Sequence, residues 1–356
     1  MRPLYLDANA SMPPCAAARA AALAALDLVG NPSSPHALGR AARRHLDVAR
    51  DAVARALGGA SREVVFFSGA SEANRFVVDA AAAAGRTVWI SNLEHPSLAR
   101  PFARLPAALR AARPEEAEVV CCTAAHNETG IVPDLDSLLA RVRSDAVVCV
   151  DAAQACGRLP PVPGRVDAVV ASAHKMGGIA GAGALLWRGR ARALPAPWAG
   201  GGQEGGLRPG TEALVALLAF GAAAAEVEAT RAAHQVLLPL RDELEAALVT
   251  AWGARALGAE GPRLPNTSAL VVPEVDPAAL RIAIDTVGVC VGFGAACSAL
   301  APEPSPALLS LGLSAREAQA TVRLSLPPGM CAEDVAEATR RLQPVAAALR
   351  AAAKRP

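Results

Sequence analysis

Two apolar runs decide the reading of this chain: Ala146-Val147-Val148-Cys149-Val150, closed by Asp151, and Asp167-Ala168-Val169-Val170-Ala171, closed by Ser172-Ala173-His174-Lys175. Short, valine-rich and bounded by polar residues, both read as buried β-strands. Working outward, Glu63–Ser68, Thr87–Ser91, Glu118–Thr123 and Ala184–Trp187 have the same character. Alanine- and arginine-rich stretches that favour helix, such as Leu38–Leu57 and Glu72–Ala83, lie between them. Strands alternating with helices predict an α/β fold, a mostly parallel, doubly wound sheet covered by helices. After a long helical stretch from Ala224 to Leu248 the pattern changes. Proline-punctuated strands (Thr267–Val272, Gly288–Val291, Thr321–Ser325) and two terminal helices then predict a smaller α+β domain.

In open α/β sheets ligands bind beyond the carboxyl ends of the strands. The residues that follow the predicted strands form a coherent polar set: Gly69-Ala70-Ser71-Glu72, Glu94-His95, His126-Asn127-Glu128, Asp151 with Gln154, and Ser172-Ala173-His174-Lys175. Gly69-Ala70-Ser71 stands between a strand and a helix, where free N–H groups and the helix dipole favour a phosphate, with Ser172, His174 and Thr211 as further donors. An ordinary helix cap at Ser71 is the competing reading. Asp151 closes an apolar strand, and a carboxylate there requires a cationic or hydrogen-bonding partner: a protonated pyridine nitrogen, or an arginine in a structural ion pair.

Composition narrows the class. The chain has 356 residues, 53% of them hydrophobic, which suits a two-domain protein with a large core. Its formal charge of +2, without a basic stripe, points away from nucleic acid and membrane surfaces. The start lacks an apolar signal core, and the run Ala213 to Ala225 is too short to span a bilayer, so a cytoplasmic location is expected. Eight cysteines show no CxxC pair and no zinc-type spacing, so neither a disulfide framework nor a metal site is expected. Lysine occurs only at Lys175 and Lys354, arginine supplying all other fixed positive charge. Arginine carries charge as well as lysine does but cannot form a Schiff base, so Lys175 is the candidate reactive amine, with base-composition drift as the alternative.

Other candidates have double readings. His95 suits stacking on a ring and moving protons, or a structural role. Asn127 and Gln154 suit a ring oxygen, or turn caps. Arg323 interrupts the apolar run Thr321-Val322-Arg323-Leu324-Ser325, and suits bidentate binding of a substrate carboxylate if buried, or solvent if the strand is an edge. Cys297, in Gly292-Phe293-Gly294-Ala295-Ala296-Cys297-Ser298, sits among small residues suited to an exposed, reactive thiol. Cys290, Cys121, Cys122, Cys149 and Cys156 read as buried structural thiols.

These residues resemble the cysteine desulfurases of the NifS/IscS type, within the fold-type I pyridoxal-phosphate enzymes, from Tyr5-Leu6-Asp7 to about Leu326. The matching stretches are Gly30-Asn31-Pro32-Ser33-Ser34-Pro35-His36, Ser68-Gly69-Ala70-Ser71-Glu72, Glu94-His95, Asn127-Glu128-Thr129-Gly130 and Asp151-Ala152-Ala153-Gln154. Further along come Ser172-Ala173-His174-Lys175, Arg208-Pro209-Gly210-Thr211, Ala296-Cys297-Ser298 and Glu303-Pro304-Ser305. The resemblance implies a large pyridoxal-phosphate domain over 13–228 and a small domain, 1–12 with 229–356, carrying the Cys297 loop. It implies Lys175 as the Schiff-base lysine, Asp151 on the pyridine nitrogen, His95 over the ring, and Asn127 and Gln154 near the phenolic oxygen. It implies L-cysteine as substrate, its carboxylate held by Arg323 and Asn31, and a persulfide on Cys297 that a sulfur-acceptor protein collects. It also implies a homodimer in which Thr211 reaches the partner's cofactor phosphate. The chain departs from the pattern at His126, Ala173, Asn74-Arg75, Met176-Gly177-Gly178 and Leu326-Pro327-Pro328. A selenocysteine lyase or class V aminotransferase on the same fold, and a non-catalytic scaffold for sulfur-transfer partners, are the alternatives.

Overall fold

The structure, a computed structural model, describes residues 2–162, 164–294 and 303–353; Cys297 and Lys354 lie outside the described residues. Its strands are β1 (Leu4–Leu6), β2 (Val64–Phe67), β3 (Val88–Ile90), β4 (Val119–Thr123), β5 (Val147–Asp151), β6 (Ala168–Ser172), β7 (Gly183–Trp187), β8 (Arg255–Ala256), β9 (Thr267–Val271), β10 (Val289–Phe293) and β11 (Thr321–Ser325). The chain divides into two compact units, 13–125 with 133–228, and 1–12 with 126–132 and 229–356.

In the first unit a six-stranded sheet has the order β2-β7-β6-β5-β4-β3. β3 to β6 pair in parallel, and β7 runs antiparallel to both β6 and β2. Every residue of β2, β4, β5, β6 and β7 is buried, which is why these strands are continuous apolar runs rather than alternating ones. One covering helix, Ala70–Ala83, buries Ala73, Phe76, Val77, Ala80 and Ala81, the i, i+3, i+4 stripe of an amphipathic helix, against Cys121, Cys149, Val170 and Trp187. Phe76, fully buried in T-shaped contact with Trp187 and Trp198, stabilises the packing by about 2–3 kcal/mol.

In the second unit the sheet order is β1-β10-β11-β9-β8, with β1 parallel to β10 and the other pairs antiparallel. Helices Leu237–Trp252, Pro277–Thr286 and Ala332–Ala353 share its core, where the Trp252 indole N–H donates to the Leu342 carbonyl at 3.0 Å.

Three sequence expectations change. The helical stretch through Ala224–Leu248 is three helices, Leu214–Ala225, Val227–Gln235 and Leu237–Trp252. Pro239 accounts for the second break, because its ring clashes with the carbonyl of Gln235 in a continuous helix while it is accepted in the first turn of a new one. The two terminal helices expected are one, the 22-residue Ala332–Ala353, which runs through Pro344. Residues 126–132, placed by the sequence reading on the large sheet's edge, belong to the second unit. The Val132 N–H donates to Pro262 and the Leu264 N–H to Gly130, and a Cβ on Gly130 would stand 2.8 Å from that of Thr267. The turn is stitched to the β9 side of the second sheet. Among the described residues no helix is long and apolar enough to cross a membrane.

Candidate active site

β2, β3, β5 and β6 end on one edge of the large sheet, followed by Gly69-Ala70-Ser71, Glu94-His95, Asp151 itself and the turn Ala173–Lys175. β7 runs the other way, so its first residue, Gly183, is also there. A Cβ on Gly183 would meet the Gly69 backbone at 2.5 Å, so only glycine lets the turn before the helix lie this close to the sheet. That helix starts at Ala70, and its first-turn N–H groups have no intrahelical acceptor. Ser71 is exposed in this first turn. Glu72 closes the turn on itself, accepting from the Ser68 N–H at 2.6 Å and pairing with Arg208 at 3.0 Å, which together hold its carboxyl below the usual range against the effect of burial.

Asp151 ends β5 with only 6% of its surface exposed. Its Oδ1 accepts from the Ala153 N–H at 2.9 Å and its Oδ2 from the Asn74 side-chain amide at 2.7 Å. Both are neutral donors, unlike the arginine of the structural ion pair that sequence left open. Three residues on, Gln154 Oε1 accepts from the fully buried Arg158 at 3.1 Å. This fixes the side-chain amide so that Nε2 is its donating end.

His95 caps the helix Pro96–Ala103, its Nδ1 accepting from the Ser97 N–H at 3.1 Å and lying 2.8 Å from the Ser97 hydroxyl. Burial lowers its pKa; Asp151 opposes this, while Lys175 and Arg100 add to it. One imidazole thus senses both the carboxylate of β5 and the amine of the turn after β6. In that turn His174 is pushed down to about 4 by burial and by Lys175, so it is neutral near pH 7, with Nδ1 3.1 Å from the Ser172 hydroxyl. Beside His95, Glu94 is buried; its Oε1 accepts from the Thr123 N–H at 2.7 Å and from the Ser91 hydroxyl, and its Oε2 has no partner. Burial pushes this carboxyl up to about 8, with Asp151 adding. Thr211 is exposed on a cavity of about 110 Å³ that Ser68, Arg208 and Glu212 also line. Exposed Asn31 uses Oδ1 to accept from the Ser33 N–H at 2.8 Å, which leaves its amide N–H groups as donors.

The second unit holds the remaining candidates. Arg323 lies mid-strand in β11, between β10 and β9, and is 1% exposed, so the solvent-facing reading fails. Its guanidinium donates to the Asn127 carbonyl at 3.1 Å and to Asp7 Oδ1 at 2.5 Å, while Nε–H has no partner. It lies across Gly292 of β10, where a Cβ would meet three guanidinium atoms at 2.5–2.7 Å. Asn127 belongs to this unit, as does Glu128, which accepts from Ser305 at 3.0 Å and whose carboxyl burial pushes up.

Sequence reasoning gave no role to Asn74, Ser97, Arg158, Gly183 or Asp7. Asn74 had a signal: a polar residue on the helix face whose neighbours Ala73, Val77 and Ala81 are apolar. Ser97 and Gly183 had none.

A lysine amine, the buried carboxylate that ends β5 and a strand-to-helix turn on one sheet edge define an α/β enzyme built around amine chemistry. The family described as Aminotransferase class-V matches over residues 4–112 and 106–337. A cysteine desulfurase from Cereibacter sphaeroides is 33% identical over 99% of this chain and 97% of its own length. The X-ray structure of a NifS-like protein from Rickettsia africae superposes with a TM-score of 0.86 at 25% identity, covering 97% of this chain and 99% of that one. A structure of SspA in complex with cysteine has a TM-score of 0.77 at 25% identity, over 91% and 99% of the two chains. The chain belongs to the class-V aminotransferase family, on its cysteine desulfurase branch.

Proposed function

We propose that the chain takes sulfur from L-cysteine and releases L-alanine, with pyridoxal 5′-phosphate as cofactor and Cys297 as sulfur carrier. The observation that carries this reading is the shared sheet edge on which Asp151 ends β5 and Lys175 follows the adjacent parallel strand β6. The donor set fits the cofactor. Asp151, hydrogen-bonded by the neutral Asn74 amide and Ala153 N–H, suits a protonated ring nitrogen; Gln154 Nε2 and Asn127 suit the ring oxygen. The first turn at Ala70 and Ser71, with Ser172, neutral His174 and Thr211, suits a phosphate. When bound, the cofactor supplies a sink for the electron pair left as the substrate loses its Cα proton.

The protein's own groups do the rest. Lys175 Nζ anchors the cofactor and moves the Cα proton. Arg323 and Asn31 take the substrate carboxylate, Arg323 through the N–H groups that Asp7 and Asn127 do not use. Cys297 attacks the substrate sulfur as thiolate: an S–S bond forms, the C–S bond breaks, and the carbon keeps the electron pair and is protonated, giving alanine. The persulfide passes to an acceptor protein. The neighbour solved with cysteine supports the substrate. Exposed Thr211 supports a homodimer in which its hydroxyl serves the partner's phosphate.

The test is the visible spectrum of purified protein before and after L-cysteine, with alanine and sulfide assayed together. A band near roughly 400 nm that shifts, with both products formed and sulfide abolished in Cys297→Ser, is expected. Protein that stays colourless with added pyridoxal phosphate overturns the enzyme reading; colour and turnover that survive Cys297→Ser overturn the desulfurase reading.

A further inference from the structure

The two side chains that the proposed function sets around the cofactor ring, Asp151 and His95, are joined by a chain of hydrogen bonds through residues with no role so far. The Asn74 amide nitrogen donates to Asp151 Oδ2 at 2.7 Å and to the Ser97 hydroxyl oxygen at 2.9 Å, and that oxygen lies 2.8 Å from His95 Nδ1. The orientation of Asn74 is determined, since a flipped amide would aim its carbonyl at a carboxylate. With Asn74 occupying a lone pair of the Ser97 oxygen, the single hydroxyl proton is available for Nδ1.

The Ser97 backbone N–H settles the direction of the last bond. It approaches the same Nδ1 at 3.1 Å, and a backbone amide can only donate. A proton on Nδ1 would set two N–H groups against each other in a half-buried pocket; an unprotonated Nδ1 satisfies both Ser97 donors. Neutral His95 therefore carries its proton on Nε2.

We propose that Asn74 and Ser97 are positioning residues that hold His95 in the Nε2–H tautomer, so that its Nε2 edge donates a hydrogen bond and does not act as a base. This rests on the functional reading above for what that edge faces, and leaves Lys175 as the base. Becoming an imidazolium would break the Ser97 contacts, and burial and the charges of Lys175 and Arg100 oppose it as well, with only Asp151 in favour. Asn74, on the helix packed above, adds no charge.

The test is ¹⁵N NMR of selectively histidine-labelled, as-purified protein across pH, with the His95 signals assigned by loss in His95→Gln. Wild type is expected to show an unprotonated Nδ1 and protonated Nε2 at neutral pH. Ser97→Ala removes the hydroxyl donor but keeps the backbone N–H, so the His95 pKa should rise by roughly half a unit to one unit, the size of one neutral hydrogen bond. Ser97→Thr should restore it, and Asn74→Ala should move it in the same direction. The acid limb of the cysteine pH–rate profile should move up with it. A proton on Nδ1 in wild type, or a pKa unmoved by Ser97→Ala, overturns the proposal. Both readouts on the imidazole stand whether or not sulfide forms, so failure of the desulfurase reading would be seen separately in the product assay.

Discussion

Glu94→Gln isolates the effect of one buried proton. Glu94 sits fully inside the large unit, Oε1 satisfied by Ser91 and Thr123 and Oε2 without a partner, and its carboxyl is held at about 8 against an ordinary value of 4.5. Burial is the main cause and the charge of Asp151 the second. Between those two values the folded protein keeps the proton and the unfolded chain releases it. Stability contributed by the proton is therefore complete below about 4.5 and is lost as pH rises through about 8, at about 1.4 kcal/mol per unit. From pH 5 to pH 8 the wild type loses on the order of 4 kcal/mol from this group. Glutamine keeps the Oε1 acceptor for Ser91 and Thr123 and never ionises, so it removes the slope. Urea unfolding of both proteins at pH 5, 6.5 and 8 reads the difference: the variant's stability relative to wild type should grow steadily by a few kcal/mol across the range. Parallel pH dependences would mean that Glu94 ionises in its ordinary range, and the account of its burial would be wrong.

Lys175→Arg keeps the positive charge and removes the primary amine; cofactor colour and sulfide release should both vanish, activity falling by about a thousandfold or more, while thermal unfolding of the cofactor-free protein changes little. Gly292→Ala places a methyl group where the Arg323 guanidinium lies, so the arginine must move; steady-state kinetics should show KM for cysteine raised about tenfold with kcat less affected. Gly183→Ala pushes the Gly69 turn off the sheet, and titration with pyridoxal phosphate should show weakened cofactor affinity with little change in the KM for cysteine.

What sequence shows and what it hides divides along a physical line. Asp151, Lys175 and the Gly69-Ala70-Ser71 turn were legible because each ends a continuous apolar run, and a strand buried on both faces exposes polar chemistry only at its end. His126–Asn127–Glu128 follows such a run too, yet this stretch packs with the second unit. Strand ends say where a side chain leaves the core, while pairing through Gly130, Val132 and Leu264 decides which unit receives it. The burial of Arg323 was undecidable from its own strand, because its position between β9 and β10 is a matter of sheet order.

The contacts that sequence hides most completely are those where a helix position acts through a neighbour far along the chain. Asn74 and Asp151 are 77 positions apart, and Asn74 and Ser97 are 23 apart. Nothing local to Ser97 separates it from any serine in a helix's first turn. Its distinction comes from His95 two residues earlier, folded back as a helix cap, and from an asparagine on the helix packed above. A cap is a common local device, and here it also determines which imidazole nitrogen carries the proton. If that is so, substitutions at Asn74 or Ser97 will change the proton chemistry of His95 while leaving the fold intact, whereas those at Gly183 or Gly292 will displace ligand-binding groups. Spectra and pH profiles will tell the two classes apart where activity alone does not.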